Sequence, residues 1–347
     1  MRSRIDVDSF VPFPRDINKS NNHYMKLSNQ HKTDILPCQV FHYTLTYYAT
    51  YALLLLLLFP IISFGQGYVE GVNISYDHMP MKIKTLAGDQ KFTGNNLKIA
   101  TSVPVFLTTN KSKYLIIGGN LEAFNFSGTH PDFEVKRVYS ISPTFGYSTM
   151  VNKEFNLTAL LMPTMNSDYK NVKGSDIKFA AIVRGSWKVS ETMTWKATIG
   201  YRQQFYGPQY VALIGMDWKV NDKWQIYGDI PHNLTASYAV NEKVNTGFNL
   251  FVQNSTYRLQ NQNRYFEYNS VNPGLFAERY ISSKWAIRGT ASYTLIRNME
   301  IYNKYDKTDG FIDFYELGDR KDPINPEVSP GLSFKVGLSY RIVPGKK

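Results

Sequence analysis

The sequence predicts an all-β fold, a transmembrane antiparallel up-and-down β-barrel of about 14 strands, with roughly 12–16 as the range. Three observations predict it. Residues 66–347 alternate apolar and polar side chains with period two and show no sustained helical period. A short polar turn flanked by aromatic residues recurs, most clearly as Trp218-Lys219-Val220-Asn221-Asp222-Lys223-Trp224. All 5 Trp lie within a few residues of such turns. A membrane interface explains that sorting, because an indole there keeps its ring in apolar surroundings and its N–H in water.

Composition is consistent with this. The chain has 347 residues, 15% of them aromatic. A mean hydropathy of −0.32 is too low for a bundle of membrane helices. Barrel strands escape that test because every second residue is polar. The net charge is +11, with pI near 9.3. Lys and Arg are scattered without a dense basic run, so the charge reads as ordinary solvated charge, and nucleic acid is not an expected partner. The single Cys, Cys38, precedes the expected cleavage site, so disulfides and Cys-based nucleophiles or metal sites are not expected in the mature chain.

Residues 51–64 read YALLLLLLFPIISF. The run is short for a spanning helix and ends in small residues. Ser63 and Gly65 fit the −3 and −1 positions of a signal-peptidase site, so cleavage before Gln66 is expected. Residues 1–65 are then an N-terminal extension with a signal peptide, and residues 66–347 the barrel. Met25-Lys26 is an alternative start. The competing reading is an uncleaved inner-membrane anchor holding a periplasmic domain.

The strands follow in order from the alternation. Val72, Ile74 and Tyr76 mark the first, with a polar loop over residues 80–95. Residues 97–107 and 114–126 are the second and third. Tyr139, Ile141, Phe145 and Tyr147 share one face of the fourth, and residues 155–161 form the fifth. Ile177 to Trp187, Trp195 to Phe205 and Tyr210 to Trp218 continue the pattern. Short strands flank Pro231-His232-Asn233. Phe248 to Val252 climb to a polar loop around Gln260, and Val271 to Ala277 descend. Trp285 to Leu295 lead into the longest loop, residues 298–328. Leu332, Phe334, Val336, Leu338, Tyr340 and Ile342 finish the chain. This gives six short turns on one side and seven longer loops on the other, the asymmetry of outer-membrane barrels. An even strand number puts both ends on the short-turn side.

The last strand, Gly331–Ile342, resembles the terminal strand that outer-membrane assembly machinery recognises, although five further residues follow it. Together with the leader and the Asn-Lys-Trp style of turn, it makes residues 66–347 resemble uncharacterised outer-membrane β-barrel families of Bacteroidota-type bacteria. The resemblance implies the outer membrane of a Gram-negative bacterium, with membrane lipid and the assembly machinery as partners. It implies no agreed activity.

If the apolar face meets lipid, the alternate positions face the lumen. They include Lys178, Arg184, Lys188, Lys196, Arg202 and Arg288 against Glu122, Asp217 and Glu278. Trp187, Trp195, Trp218, Trp224 and Trp285 would form the interfacial girdle. A basic lumen would favour anionic solutes. Alternatively these side chains pair and fill the barrel. Two functions therefore stay open: a passive or facilitated channel for small solutes, with anions favoured, or a closed structural or surface-binding barrel.

Other chemistry is weakly signalled. The second half of residues 306–316 matches a calcium loop, but the first half fails, since Tyr305 and Lys307 occupy ligand positions, and the surrounding loop, residues 298–328, holds 8 acidic and 4 basic residues. His78, His130 and His232 have neither paired metal-ligand spacing nor a Ser two residues away. No cofactor and no enzymatic activity are expected. Tyr206-Gly207-Pro208 with Tyr265, Phe266 and Tyr268 reads as aromatic girdle, or else as a sugar or lipid platform at the rim.

Overall fold

Alternation along each strand becomes, across strands, a belt at one height. Ile74 of β1 (Val69–Thr85) pairs with Ile99 of β2 (Gly88–Phe106). Ile99 pairs with Leu121 of β3 (Lys113–Ser127), and Leu121 with Ile141 of β4 (Arg137–Met150). Ile74, Leu121 and Ile141 are exposed, as are Leu97, Phe145, Leu161, Val183, Ile199, Ile214 and Leu275 elsewhere. An exposed apolar face this continuous is what a lipid-facing barrel wall requires. The computed structural model describes residues 69–85, 88–128, 133–259, 263–313 and 315–342. The expected leader and its cleavage site, His130 and the carboxyl-terminal tail lie outside the described residues.

The antiparallel order continues through β5 (Phe155–Ser167), β6 (Ile177–Ser190), β7 (Met193–Gln203), β8 (Pro208–Lys219), β9 (Trp224–Ile230), β10 (Asn233–Asn241), β11 (Val244–Leu259) and β12 (Arg264–Tyr280). β13 (Trp285–Thr294) and β14 (Ile296–Asn303) are one stave interrupted at Leu295, since both pair with β12. A hairpin of β15 (Gly310–Ile312) and β16 (Tyr315–Leu317) lies in the long loop. β17 (Gly331–Ile342) pairs with β13 and, through contacts such as Tyr76 with Val336, with β1, closing a barrel of 14 staves.

All six short turns are built on one device. A side-chain oxygen accepts from backbone N–H groups two or three residues on, which fixes the reversal locally. Asn110 accepts from Ser112, and Asn152 from Glu154 and Phe155. Asn221 accepts from Lys223 and Trp224, and Asn241 from Lys243. Ser190 and Ser282 do the same through their hydroxyls. Beside these turns Trp187 stacks on Phe155, Trp224 packs on Tyr238 and Trp285 on Tyr340.

The long-loop half departs from the expected pattern. The first strands do not end in a loop at Pro80. β1 and β2 continue as a paired hairpin to Thr85 and Gly88 with polarity inverted. Met79, Met81, Ile83, Phe92, Phe124, Phe126 and Val138 now face inward and are buried, while Lys82, Lys84 and Lys91 face out. The reason is a second layer inside the barrel.

β10 pairs with β11 only as far as Asn233 opposite Phe251. From Val252 onward β11 would present an unpaired edge to lipid, which hydrocarbon does not tolerate. Instead β11, β12 and β14 leave the wall together as a three-stranded ribbon and cross the interior. Arg258 on β11 pairs with Ser167 on β5, and Asn166 Nδ2 donates to Thr256 O. One ribbon face carries Tyr257, Leu259, Phe266, Tyr268, Met299 and Ile301, buried against the inverted parts of β1 to β4. Phe124 packs 5.2 Å from Tyr268, and Phe126 lies 5.7 Å from Phe266. Tyr265, Phe266 and Tyr268 are therefore core residues and form neither girdle nor rim platform. Tyr206 is buried as well, against Phe311. The far edge of the ribbon is satisfied by the long loop, where Asn325 accepts from Ile301 N–H and donates to Met299 O.

The barrel interior as the candidate functional site

Fourteen staves enclose a wide space. With neighbouring strands about 4.8 Å apart and tilted by about 40°, the wall is roughly 28 Å across between backbones. Eight-stranded barrels fill with wall side chains alone, so this one needs additional matter to close it. The interior accordingly has two levels.

At the short-turn half the inward positions carry small polar residues and ion pairs. Arg184 on β6 reaches Asp229 on β9 at 2.9 Å and donates to Thr198. Lys196 lies 2.7 Å from Asp217. Glu278 sits between Arg288 at 2.8 Å and Arg341 at 2.6 Å, and Arg288 also donates to Tyr227 across the barrel. Lys335 lies 3.1 Å from Asp77. The five cations Lys98, Arg184, Lys196, Arg288 and Lys335 are each 17–34% exposed although they point inward, so water reaches them.

Glu122 marks the boundary between the levels. It accepts from Asn96 at 2.5 Å, and from Gln253 and Tyr257 of the ribbon at 3.1 Å each, with the Lys98 ammonium 3.5 Å away. The ammoniums of Lys98 and Lys335 both face the Phe251 ring, at 5.8 and 4.5 Å. A cavity of about 30 Å³ remains there, bordered by Asp77, Asn249, Gln253 and Lys335. Arg202 lies under the ribbon and donates to Asn254 O. Thus Arg184, Lys196 and Arg288 share the accessible level, Glu278 is buried between Arg288 and Arg341, Glu122 and Arg202 bind the ribbon, and Lys178 stands apart at the long-loop rim beside Phe205. Asp229, Arg341, Lys98 and Lys335 were not singled out from sequence; their inward parity was the available signal.

Above this level the core of the ribbon layer is dry. Arg320 of the long loop is 5% exposed and lies 2.6 Å from Glu267, which is 0% exposed. The same guanidinium lies over the Tyr302 ring at 4.0 Å. Burial alone would lower the Arg320 pKa, but the adjoining Glu267 carboxylate and Tyr265 hydroxyl outweigh it and raise the value. Removing one partner of such a pair strands a buried charge, at a cost of roughly 3–5 kcal/mol. Arg320→Ala should therefore release the 304–330 loop from the ribbon. Protease treatment of intact cells checks this: the wild-type loop resists and the variant loop is cut, whereas equal resistance would contradict the lock.

The remaining sequence candidates are dispersed. In the partial calcium loop, Asp306 accepts from Asn303 and lies 3.6 Å from Lys321, while Glu316 pairs with Arg320. His78 meets Asn95 at 2.9 Å, and His232 lies at the β9–β10 turn.

Several solved structures are similar to this chain. An outer membrane channel from Pseudomonas putida F1 has a TM-score of 0.41 and 10% identity, covering 81% of this chain and 100% of that one. The P. putida toluene transporter TodX gives 0.37 and 8%, covering 80% and 91%. The NanC porin gives 0.34 and 7%, covering 78% and 100%. No curated protein matches the chain by sequence. A family model described as a domain of unknown function, DUF6268, matches residues 81–341, and the chain belongs to that family.

Proposed function

We propose that the protein is an outer-membrane channel for small anionic solutes, narrowed at its outer mouth by its own inward-folded ribbon. One observation carries this reading. The Arg184–Asp229 and Lys196–Asp217 pairs of the short-turn half and the Arg288 guanidinium stay accessible to water, whereas the Arg320–Glu267 pair in the ribbon layer is dry. Charges packed only to fill a barrel would be buried throughout. The Arg288 and Arg341 guanidiniums share the buried Glu278 carboxylate, Glu70 lies 3.8 Å from Arg341, and Arg202 adds a further cation with no carboxylate at ion-pair distance among the described residues. An excess of fixed positive charge in a narrow aqueous path favours anions. The long-loop end would face the exterior and the short-turn end the periplasm, with the five Trp at the periplasmic interface. The β17 strand, which closes the barrel against β1, would be the segment read during assembly.

The closed-barrel alternative is favoured by a specific observation too, the apolar packing of the ribbon on β1 to β4. Planar-bilayer recording separates the two. The channel reading expects small unitary currents with anions preferred over cations. Arg184→Ala with Arg202→Ala should move the reversal potential toward cation preference. Unchanged selectivity would remove the anion assignment, and a protein that is silent with its ribbon and conducts only without it would establish the closed barrel.

A further inference from the structure

A second basic site lies apart from the barrel interior. Between the β5–β6 loop, the ribbon tip and the start of the long loop is a cavity of about 260 Å³. Its walls carry five cations: Lys173, Lys178, Arg258, Lys304 and Lys307. Among the described residues none of the five forms an ion pair, in contrast to the interior cations Lys98, Arg184, Lys196, Arg288 and Lys335, which all do. The one carboxylate of the wall, Asp176, is buried and turns one oxygen to the Lys173 backbone N–H at 2.9 Å.

The cations are placed by other contacts. Arg258 is 9% exposed, and its guanidinium donates to Arg264 O and Asn263 Oδ1, both at 3.1 Å. Lys178 Nζ donates to Ser175 O at 3.2 Å and lies 4.8 Å from the Phe205 ring centre. Both are thus held at the cavity by neutral groups, and the single carboxylate Asp176 offsets only part of the five positive charges. Converging like charges repel, so the site gains stability only from an anion.

The rest of the lining narrows the class of anion. Phe205 offers a ring surface, and Asn171 and Asn263 offer amides. An aromatic face beside hydrogen-bonding amides suits a polar carbon skeleton as well as its charged group. The volume is small for a ligand pocket and suits a monosaccharide-sized molecule. The lining comes from loops, the ribbon tip and the inward-facing Lys178 of β6, and not from the lipid-facing surface, which points to a free solute over a lipid headgroup.

We infer that this cavity is a binding site for a small phosphorylated or sulfated saccharide at the long-loop face of the protein. The site does not depend on conduction and is expected to bind whether or not the barrel passes ions.

Titration calorimetry on the full barrel in detergent tests it, with glucose 6-phosphate, inorganic pyrophosphate and glucose as probes. Saturable binding of glucose 6-phosphate without binding of glucose is expected, weakening as salt rises. Lys178→Gln with Lys307→Gln should weaken it by about tenfold or more. A retained shift between boiled and unboiled gel bands shows that the variant is folded. Equal affinity in wild type and folded variant would overturn the site, as would the absence of saturable binding of both phosphates. Binding of pyrophosphate but not glucose 6-phosphate would overturn the saccharide class. Binding of glucose 6-phosphate that displays no salt dependence would overturn the electrostatic basis.

Discussion

Excising the ribbon should raise the unitary conductance about tenfold or more, toward that of an open barrel of this strand number. Val252 and Val271 face each other in register, as do Thr294 and Gly331, so residues 253–270 and 295–330 can each be replaced by a short turn, removing all three ribbon strands without disturbing the wall below. The expectation follows from dimensions. A wall roughly 28 Å across leaves an aqueous bore of about 15 Å once side chains are allowed for. In the native chain the bore is interrupted by the ribbon running from β11 to Ser167 on β5. Its removal also exposes Phe124, Phe126 and Met81 to water, so Phe124→Ser, Phe126→Ser and Met81→Ser should accompany the excision to keep the protein soluble in detergent. Bilayer recording checks the outcome. A conductance unchanged from wild type would mean that the ribbon is not the constriction.

A large loss of barrel stability is expected from Arg297→Ala. Where β14 diverges from β17 the wall splits, and carbonyl groups lose their ladder partners. Arg297 fills the split. Its Nη1 donates to Pro80 O at 3.2 Å and Ser329 O at 3.3 Å. Its Nη2 donates to Thr294 Oγ1 at 3.0 Å, Gly331 O at 3.2 Å and Leu332 O at 3.3 Å. The fork of donors on one planar cation ties β1, β13 and β17 at a single point, a geometry that Lys cannot reproduce. Removing it leaves the buried Thr294 hydroxyl and four partly buried carbonyl acceptors unmatched, at roughly 3 kcal/mol. Boiled and unboiled gel bands across a temperature series should show the transition moving to clearly lower temperature in Arg297→Ala, with Arg297→Lys restoring little. A transition at the wild-type temperature would contradict the clamp.

The short-turn half was legible because two local signals coincide there. Asn or Ser at the start of each turn supplies its own backbone cap, and the strands on either side alternate toward lipid without interruption. Strand number and the two classes of connection followed directly. The long-loop half was not legible because its polarity inverts. In β1, Ile74 and Tyr76 face out, yet Met79, Met81 and Ile83, of the opposite parity, face in. Read as a lipid-facing strand the segment breaks at Pro80; read as two layers it continues. The parity switch was present in the sequence, but its cause, the ribbon, comes from residues far along the chain. Likewise Tyr265 and Phe266 look like girdle residues until the short β9–β10 hairpin turns their strand inward. Within the site, alternation assigned Arg184, Lys196 and Arg288 to the inner face. Their partners could not be read, since Arg184 meets Asp229 three strands away and Arg288 reaches Tyr227 across the barrel.

The ribbon crossing is the central claim, and a cross-link tests it most directly. Ser167 and Arg258 are opposite one another in the β5–β11 pairing, a separation suited to a disulfide. The expected mature chain has no Cys, so Ser167→Cys with Arg258→Cys introduces a single pair. Oxidation in native membranes should produce a cross-linked band, reversed by reductant, as readily as a control pair at the wall positions Asn156 and Ser186. Cross-linking of the control pair alone would place the ribbon away from β5 and contradict the constricted channel.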